Sequence, residues 1–165
     1  MSKSAPAAER NRTAILSVLQ EVLPPRGTVL EVSSGTGQHA AYFTPELAPR
    51  HWQPSELDRA LIGSIDGWRE RVPSARLLPA ITLDVCDTVW PVEEDLPELP
   101  VTAIVNINMI HIAPWQACLG LLAGAGRILP PQGVLYLYGP YRRGGVHTVS
   151  SNEDFDRSLQ ARDPQ

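Results

Sequence analysis

Two glycines and three carboxylates are the residues whose types and spacing point to a shared task. Gly35 and Gly37 stand in VSSGTGQHA, residues 32–40, where Ala40 completes the pattern G-x-G-x-x-G/A. Glycines in a strand-to-helix turn let a ligand approach the main chain, and the first turn of the next helix presents unpaired N–H groups. Glu56 follows nineteen residues after Gly37, just past an expected second strand, where a carboxylate can accept ribose hydroxyls. Asp84 stands at the expected end of a third strand and can accept from an adenine amine; the alternative is an acid that caps a loop or helix. Glu31, four residues before Gly35, places negative charge near the turn. Such a charge repels a pyrophosphate and suits a ligand bearing ammonium and sulfonium groups. S-adenosylmethionine carries both and is the expected cofactor, with a nicotinamide dinucleotide as the rival.

These residues need strands that end together and helices to cover them. Ala14, Ile15, Val18, Leu19, Val22 and Leu23 recur at helical spacing, so a helix is expected to stop before Pro24-Pro25. Strands are expected over 28–32, 51–55, 78–85, 101–110 with its exit, and 133–139. Helices are expected over 38–47 and 58–71, from Pro114 at a first helical position, and from a Ser151/Asp154 capping pair to about Ala161. Apolar strands alternating with helices mean a parallel sheet covered on both faces. An echo, VLPPRGTVLEV at 22–32 and ILPPQGVLYLY at 128–138, reads as one helix-stop and reversal used twice.

With 165 residues and 43% hydrophobic content, a single domain over 1–165 is expected. The net charge of -4, from 18 acidic and 14 basic residues, gives no general attraction to nucleic acid or an anionic membrane, and neither is expected as a partner. Arg142-Arg143 reads as a solvated loop. The two cysteines, Cys86 and Cys118, are expected to be buried thiols, with no disulfide framework and no metal set. The first residues lack the apolar core of a signal peptide and no run approaches a membrane span, so a soluble, cytoplasmic protein is expected.

VLEVSSGTGQH, WQPSELD, LDV, NMIHIAPW, YGPY and SNEDFD, in that order, resemble the class I S-adenosylmethionine-dependent methyltransferases, and within them the methyltransferase-like protein 26 family, the domain of unknown function 938 group. The resemblance runs from Ala7 to Pro164. It implies an α/β, Rossmann-like sheet with helices on both faces and the cofactor across the carboxyl ends of the first strands. That fold normally adds a helix and two strands beyond those found here. The chain is therefore expected to be C-terminally truncated, with strand five an open edge that invites a dimer.

Carried over by position, Glu31, Ser33, Gly35 and Gly37 match the first cofactor motif, Glu56 the ribose acid and Asp84 the adenine-side acid. The resemblance further implies that Arg10 and Asn11 close over the cofactor's amino-acid end, Arg10 pairing its carboxylate. Asn108 and Met109 are expected to contact the cofactor, His111 to serve as the base, and Tyr138, Tyr141 and His147 to wall the pocket of a small-molecule acceptor. Structural roles stay open for several of these, packing for Met109 and a loop hydrogen bond for His111 among them. So do two rival functions: a dinucleotide-dependent oxidoreductase, and a cofactor-binding interaction protein without catalysis.

Overall fold

The computed structural model describes residues 6–162. Five strands form one parallel sheet in the order β3-β2-β1-β4-β5. They are β1 (Thr28–Val32), β2 (His51–Glu56), β3 (Ile81–Thr82), β4 (Val101–Ile107) and β5 (Val134–Tyr138). This is the Rossmann-like sheet that the apolar, Pro- and Gly-punctuated strand pattern anticipates.

Alternation along the strands divides the core into two layers. Val29, Trp52, Ala103 and Val105 face α1 (Pro6–Val22) and α2 (Gln38–Glu46), packing against Ile15, Leu19 and Phe43. Leu30, Val32 and Ile104 face the other way, onto Trp90, Leu121 and Ala125. The last two residues belong to α6 (Trp115–Ile128), and Trp90 precedes the single turn α4 (Pro91–Glu94). Between β2 and β3 runs α3 (Arg59–Arg69), started by Asp58, whose side chain accepts from Ala60 N–H. Burial of apolar area on both faces is what makes continuous apolar strands stable in a parallel sheet.

Three expectations need correction. The third strand is not 78–85 but only Ile81–Thr82, because Pro79 has no N–H to give to the ladder. The chain touches β2 earlier, where Leu78 N donates to Trp52 O at 2.9 Å, and rejoins it after the proline. Asp84 accordingly lies in the loop beyond β3. Pro114 precedes α6 as its N-cap rather than opening it, and the one-turn α5 (Met109–Ile112) ends the path out of β4. The echoed Pro-Pro-x-Gly segments use different geometry: positive φ falls on Gly27 in the first but on Gln132 in the second.

The region after β5 was the least anticipated. Arg142-Arg143 is no irregular loop but β6 (Arg142–Arg143), paired antiparallel with β7 (Val146–His147) around Gly144 and Gly145, both at positive φ. Two glycines between short strands are a type I′ hairpin signal. The last helix, α7 (Ser150–Arg162), starts ahead of the expected capping pair, so Ser151 lies inside it and does not cap it, and the helix turns Asn152, Phe155, Asp156 and Leu159 inward, all half-buried. No helix among the described residues is long and apolar enough to cross a membrane.

Candidate active site

The turn leaving β1 brings together residues twenty-one apart in sequence, Gly35 and Glu56. Ser33 has φ 60°, Gly35 56° and Gly37 90°, so three residues in five occupy left-handed backbone. For Ser33 this is a conformation that glycine adopts without strain and serine does not. The two glycines are required for different reasons. A Cβ on Gly37 would lie 2.7 Å from Ile65 Cα, so this glycine lets α3 pack against the turn. A Cβ on Gly35 would meet nothing within 4 Å, which leaves its main chain open to an approaching group.

Glu56 ends β2 with its carboxylate held by main-chain donors. Oε2 accepts from Gly35 N–H at 2.8 Å, and Oε1 accepts from Leu57 N–H at 2.9 Å and Asp58 N–H at 3.2 Å. The glutamate is the last residue of the strand, not a residue beyond it, and its side chain folds back onto the turn. It lines a cleft of about 550 Å³ at the carboxyl ends of β1 to β4, with Ser33 and Val32 on one side and Met109, Ile112 and Ala117 on another. The charged side chains lining the cleft among the described residues are Glu56, Asp58 and Asp84, and no lysine or arginine joins them.

Glu31 does not reach this cleft. It sits within β1 at 1% exposure, beneath the turn, where Oε2 accepts from Trp52 Nε1–H at 3.0 Å and Ser34 Oγ–H at 2.9 Å. Burial pushes its carboxyl up to about 7, against those two hydrogen bonds and with a smaller contribution from the Glu56 charge. Its position on the Val29 face of the sheet, set by strand alternation, points it toward α2. The expected direct line from Glu31 to a ligand is therefore replaced by a buried brace: Ser34 and Ser55 tie β1 to β2, with Ser55 Oγ–H donating to Glu31 O at 2.8 Å.

Asp84 does line the cleft, and it also does what its alternative reading asks, since Oδ1 accepts from Cys86 N–H at 2.9 Å. The turn it makes carries Cys86 outward, so Cys86 is exposed, contrary to expectation, while Cys118 is buried on α6.

Beyond Ile112 the cleft adjoins a second space of about 740 Å³, walled by Arg10 and Asn11 of α1, Asn108, Tyr138 and the start of α7. Asn108, at φ 70°, turns the chain from β4 into α5, and its N–H donates to Tyr138 O at 2.8 Å. Asn11 Oδ1 lies 2.8 Å from His39 Nε2, which joins α1 to α2; burial and Arg12 hold the imidazole down to about 4, so the neutral ring donates this bond. Arg10 is exposed at the rim.

A third space of about 270 Å³ shares Pro140, Asn152 and Phe155 with the second and is lined further by His111, Tyr141 and His147. His111 stands edge-on to Tyr141, with ring centroids 4.6 Å apart, and packs on Gly139, where any Cβ would collide with its Cδ2 and Nε2. Its Nε2 is buried without a partner among the described residues, and burial holds the imidazole below its ordinary pKa. The structure thus divides the expected site residues into those on the cleft (Ser33, Glu56, Asp84, Met109), those in the adjoining spaces (Arg10, Asn11, Asn108, His111, Tyr138, Tyr141, His147) and those in the supporting turn (Glu31, Gly35, Gly37).

Several residues that shape these spaces were not singled out from sequence. Ser34, Ser55 and Trp52 brace Glu31, and Asn106 near the end of β4 donates from Nδ2 to Val32 O at 3.0 Å while its Oδ1 is buried without a partner among the described residues. Phe155 walls the third space, together with Arg142, which the sequence offered only as part of a solvated loop. The helical recurrence of Asn152, Phe155, Asp156 and Leu159 was a usable signal for that wall; the contact of Trp52 with Glu31 had none.

A parallel sheet with these clefts at its carboxyl ends is the Rossmann-like fold of the methyltransferases. The chain belongs to the family described as "Protein of unknown function (DUF938)", which matches residues 2–165. Among solved structures it is similar to the CurJ carbon methyltransferase at 21% identity and a TM-score of 0.64, covering 95% of this chain and 40% of that one. CalO1, a methyltransferase in calicheamicin biosynthesis in its SAH-bound form, matches at 16% and 0.66, over 94% and 44%. A putative sarcosine dimethylglycine methyltransferase from Galdieria sulphuraria matches at 15% and 0.68, over 93% and 54%. The chain thus spans less than two thirds of the length of each of these three proteins.

Proposed function

We propose that this protein is an S-adenosylmethionine-dependent methyltransferase with a small-molecule acceptor. The observation that carries the reading is the cleft of about 550 Å³, whose charged lining is Glu56, Asp58 and Asp84 with no lysine or arginine among the described residues. A nucleoside with free ribose hydroxyls, an exocyclic amine and a cationic sulfur suits such a lining, whereas a pyrophosphate would face only carboxylates. This favours the adenosyl cofactor over a nicotinamide dinucleotide. The ordered sequence motifs support placing the chain with the methyltransferase-like protein 26 group, and two free cysteines suit a reducing cytoplasmic location.

The residues present fit that cofactor. Glu56 has lone pairs left on Oε2 for the ribose hydroxyls, Asp84 has its second oxygen for the amine, and Met109 and Ala117 give apolar walls for the base. Ser33 and Gly35 offer main chain, Gly37 seats their turn against α3, Glu31 supports them from below, and Arg10, Asn11 and Asn108 are assigned to the amino-acid end. The bound cofactor would supply a methyl group already activated by its sulfonium, so positioning provides much of the acceleration. His111, held below its ordinary pKa by burial, is assigned the role of base toward an acceptor hydroxyl or amine. Tyr138, Tyr141 and His147 are assigned to the acceptor's walls.

The test is methyl-labelled S-adenosylmethionine incubated with the protein and fractionated small-molecule extracts. Label in a small product, with S-adenosylhomocysteine formed in step and lost in His111→Ala, is expected. Cofactor binding without transfer to any fraction would favour the non-catalytic reading instead.

A further inference from the structure

Glu31 is a carboxyl buried away from the cleft, yet it holds the residue that separates Ser33 from Gly35. Ser34 Oγ–H donates to Glu31 Oε2 at 2.9 Å, and the same Oγ accepts from Ser55 N–H at 3.2 Å. Its main chain is held as well, the N–H donating to Ser55 O at 2.8 Å and the carbonyl accepting from Gly37 N–H at 3.0 Å. The next N–H along the chain, that of Gly35, is the one bound to Glu56. Two hydrogen bonds therefore link the buried carboxyl to the carboxylate that lines the cleft.

The proton of Glu31 has one place to sit. Oε2 is filled by Ser34 and by Trp52 Nε1–H at 3.0 Å, while Oε1 accepts from no described residue. The neutral acid thus carries its hydrogen on Oε1, and both bonds to Oε2 survive when that hydrogen leaves. Burial pushes the carboxyl up to about 7, and the charge of Glu56 adds to this, so Glu31 already registers a charge at the cleft. The other ionisable groups near the turn come from two helices. On α2 these are Tyr42 and His39, the imidazole held down to about 4 and so neutral here. On α1 they are Arg10 and the Glu9/Arg12 pair, joined at 2.9 Å. β4 sets Val105 beside Glu31 and has no ionisable residue of its own.

Resting on the S-adenosylmethionine reading, we propose that Glu31 is a positioning residue that senses the charge of the cofactor: binding of the cationic methyl donor drives the proton off Oε1 into solvent. Glu31 then lies under the turn as a counter-charge that does not touch the ligand. Loss of the sulfonium charge on methyl transfer lets a proton return from solvent, and no covalent bond to Glu31 forms or breaks. A cation in the cleft favours the ionised acid as the Glu56 carboxylate disfavours it. The coupling is reciprocal, so ionised Glu31 favours the sulfonium donor over its thioether product by the same factor.

Calorimetric titration of the full chain with S-adenosylmethionine and S-adenosylhomocysteine, in two buffers of different ionisation enthalpy, counts the protons released on binding. At pH 7 the methyl donor is expected to release up to about half a proton per site and the product clearly less. Between pH 5.5 and pH 7 the affinity for the donor should rise about tenfold, and that for the product much less. Glu31→Gln should abolish both the release and the rise, while the ligand's own amine titrates alike with either chain and cancels in the comparison. Trp52→Phe removes a donor to the charged form, so the midpoint of the rise should move to higher pH, which lost packing alone would not do. Cooperative unfolding of each variant reports that it is folded; should neither fold, the contrast between the two ligands in the parent chain decides. Equal proton release by donor and product, or a rise retained in Glu31→Gln, overturns the proposal and leaves the cofactor reading standing. Binding of neither ligand overturns both.

Discussion

Glu56 and Gly35 are joined by a 2.8 Å hydrogen bond from the glycine N–H to the carboxylate Oε2, so the end of β2 fixes the turn that leaves β1. One side chain both shapes the turn and presents a carboxylate to the cleft beside it.

Substituting Glu56 by glutamine is therefore expected to do two things. The amide replaces one accepting oxygen with a donor, which then opposes a main-chain N–H, and the charge facing the cleft is lost. With about 2 kcal/mol for a hydrogen bond to a charged group, affinity for S-adenosylhomocysteine should fall roughly 10- to 100-fold. Equilibrium titration checks this, and an unchanged affinity would remove Glu56 from the cofactor site.

Glu31 predicts a pH dependence of stability with a definite sign. Its carboxyl is raised from 4.5 to about 7 in the folded chain, so between these values the folded state holds more protons than the unfolded one. Stability then declines as pH rises through this window; the penalty is absent below about 4.5 and complete above about 7, on the order of 3 kcal/mol. Glu31→Gln keeps an oxygen for Trp52 and Ser34 and should remove this decline. Denaturant unfolding of both chains from pH 4 to 8 measures it, and parallel curves would contradict the burial argument.

The two glycines of the turn should separate by phenotype. Gly37→Ala adds both strain and a collision with Ile65, and should cost roughly 1–3 kcal/mol of stability. Gly35→Ala carries the same left-handed strain but meets open space, so it should lose less stability than Gly37→Ala, with its further loss appearing in cofactor binding. Unfolding midpoints and titrations on the pair decide this; equal stability losses would argue against the packing role of Gly37.

Gly139→Ala should act on His111. The new methyl group displaces the imidazole from its buried place, and its pKa should rise toward the ordinary 6.5 as water reaches it. Titration of the ring proton signals by NMR gives the answer, and an unmoved pKa would mean that the ring has another support.

Much of the sheet was legible because apolar runs and Pro-Gly punctuation are local signals. The glycine turn, Glu56 and Asp84 were legible for the same reason: their spacing is fixed by strand and helix lengths. Pro79 shows where the reading of β3 lost detail, since an apolar run was counted without subtracting the missing donor. Glu31 shows a deeper limit. Whether an acid at the end of a strand faces a ligand or the core depends on the sheet face it takes and on what packs there, here Trp52 from the neighbouring strand. The hairpin carrying Arg142 and His147 was marked by Gly144-Gly145, but its contact with Asp156 on α7 is tertiary and left no trace in spacing.

The central claim is that the cleft beside Glu56 takes an adenosyl cofactor. Calorimetric titration of the chain with S-adenosylmethionine, S-adenosylhomocysteine and NADH tests it most directly, with Asp84→Ala and Gly35→Val as controls. Binding of both adenosyl ligands, weakened in both variants, with no comparable heat from NADH, is the predicted result. Tight NADH binding, or a folded chain that binds neither adenosyl ligand, would contradict it.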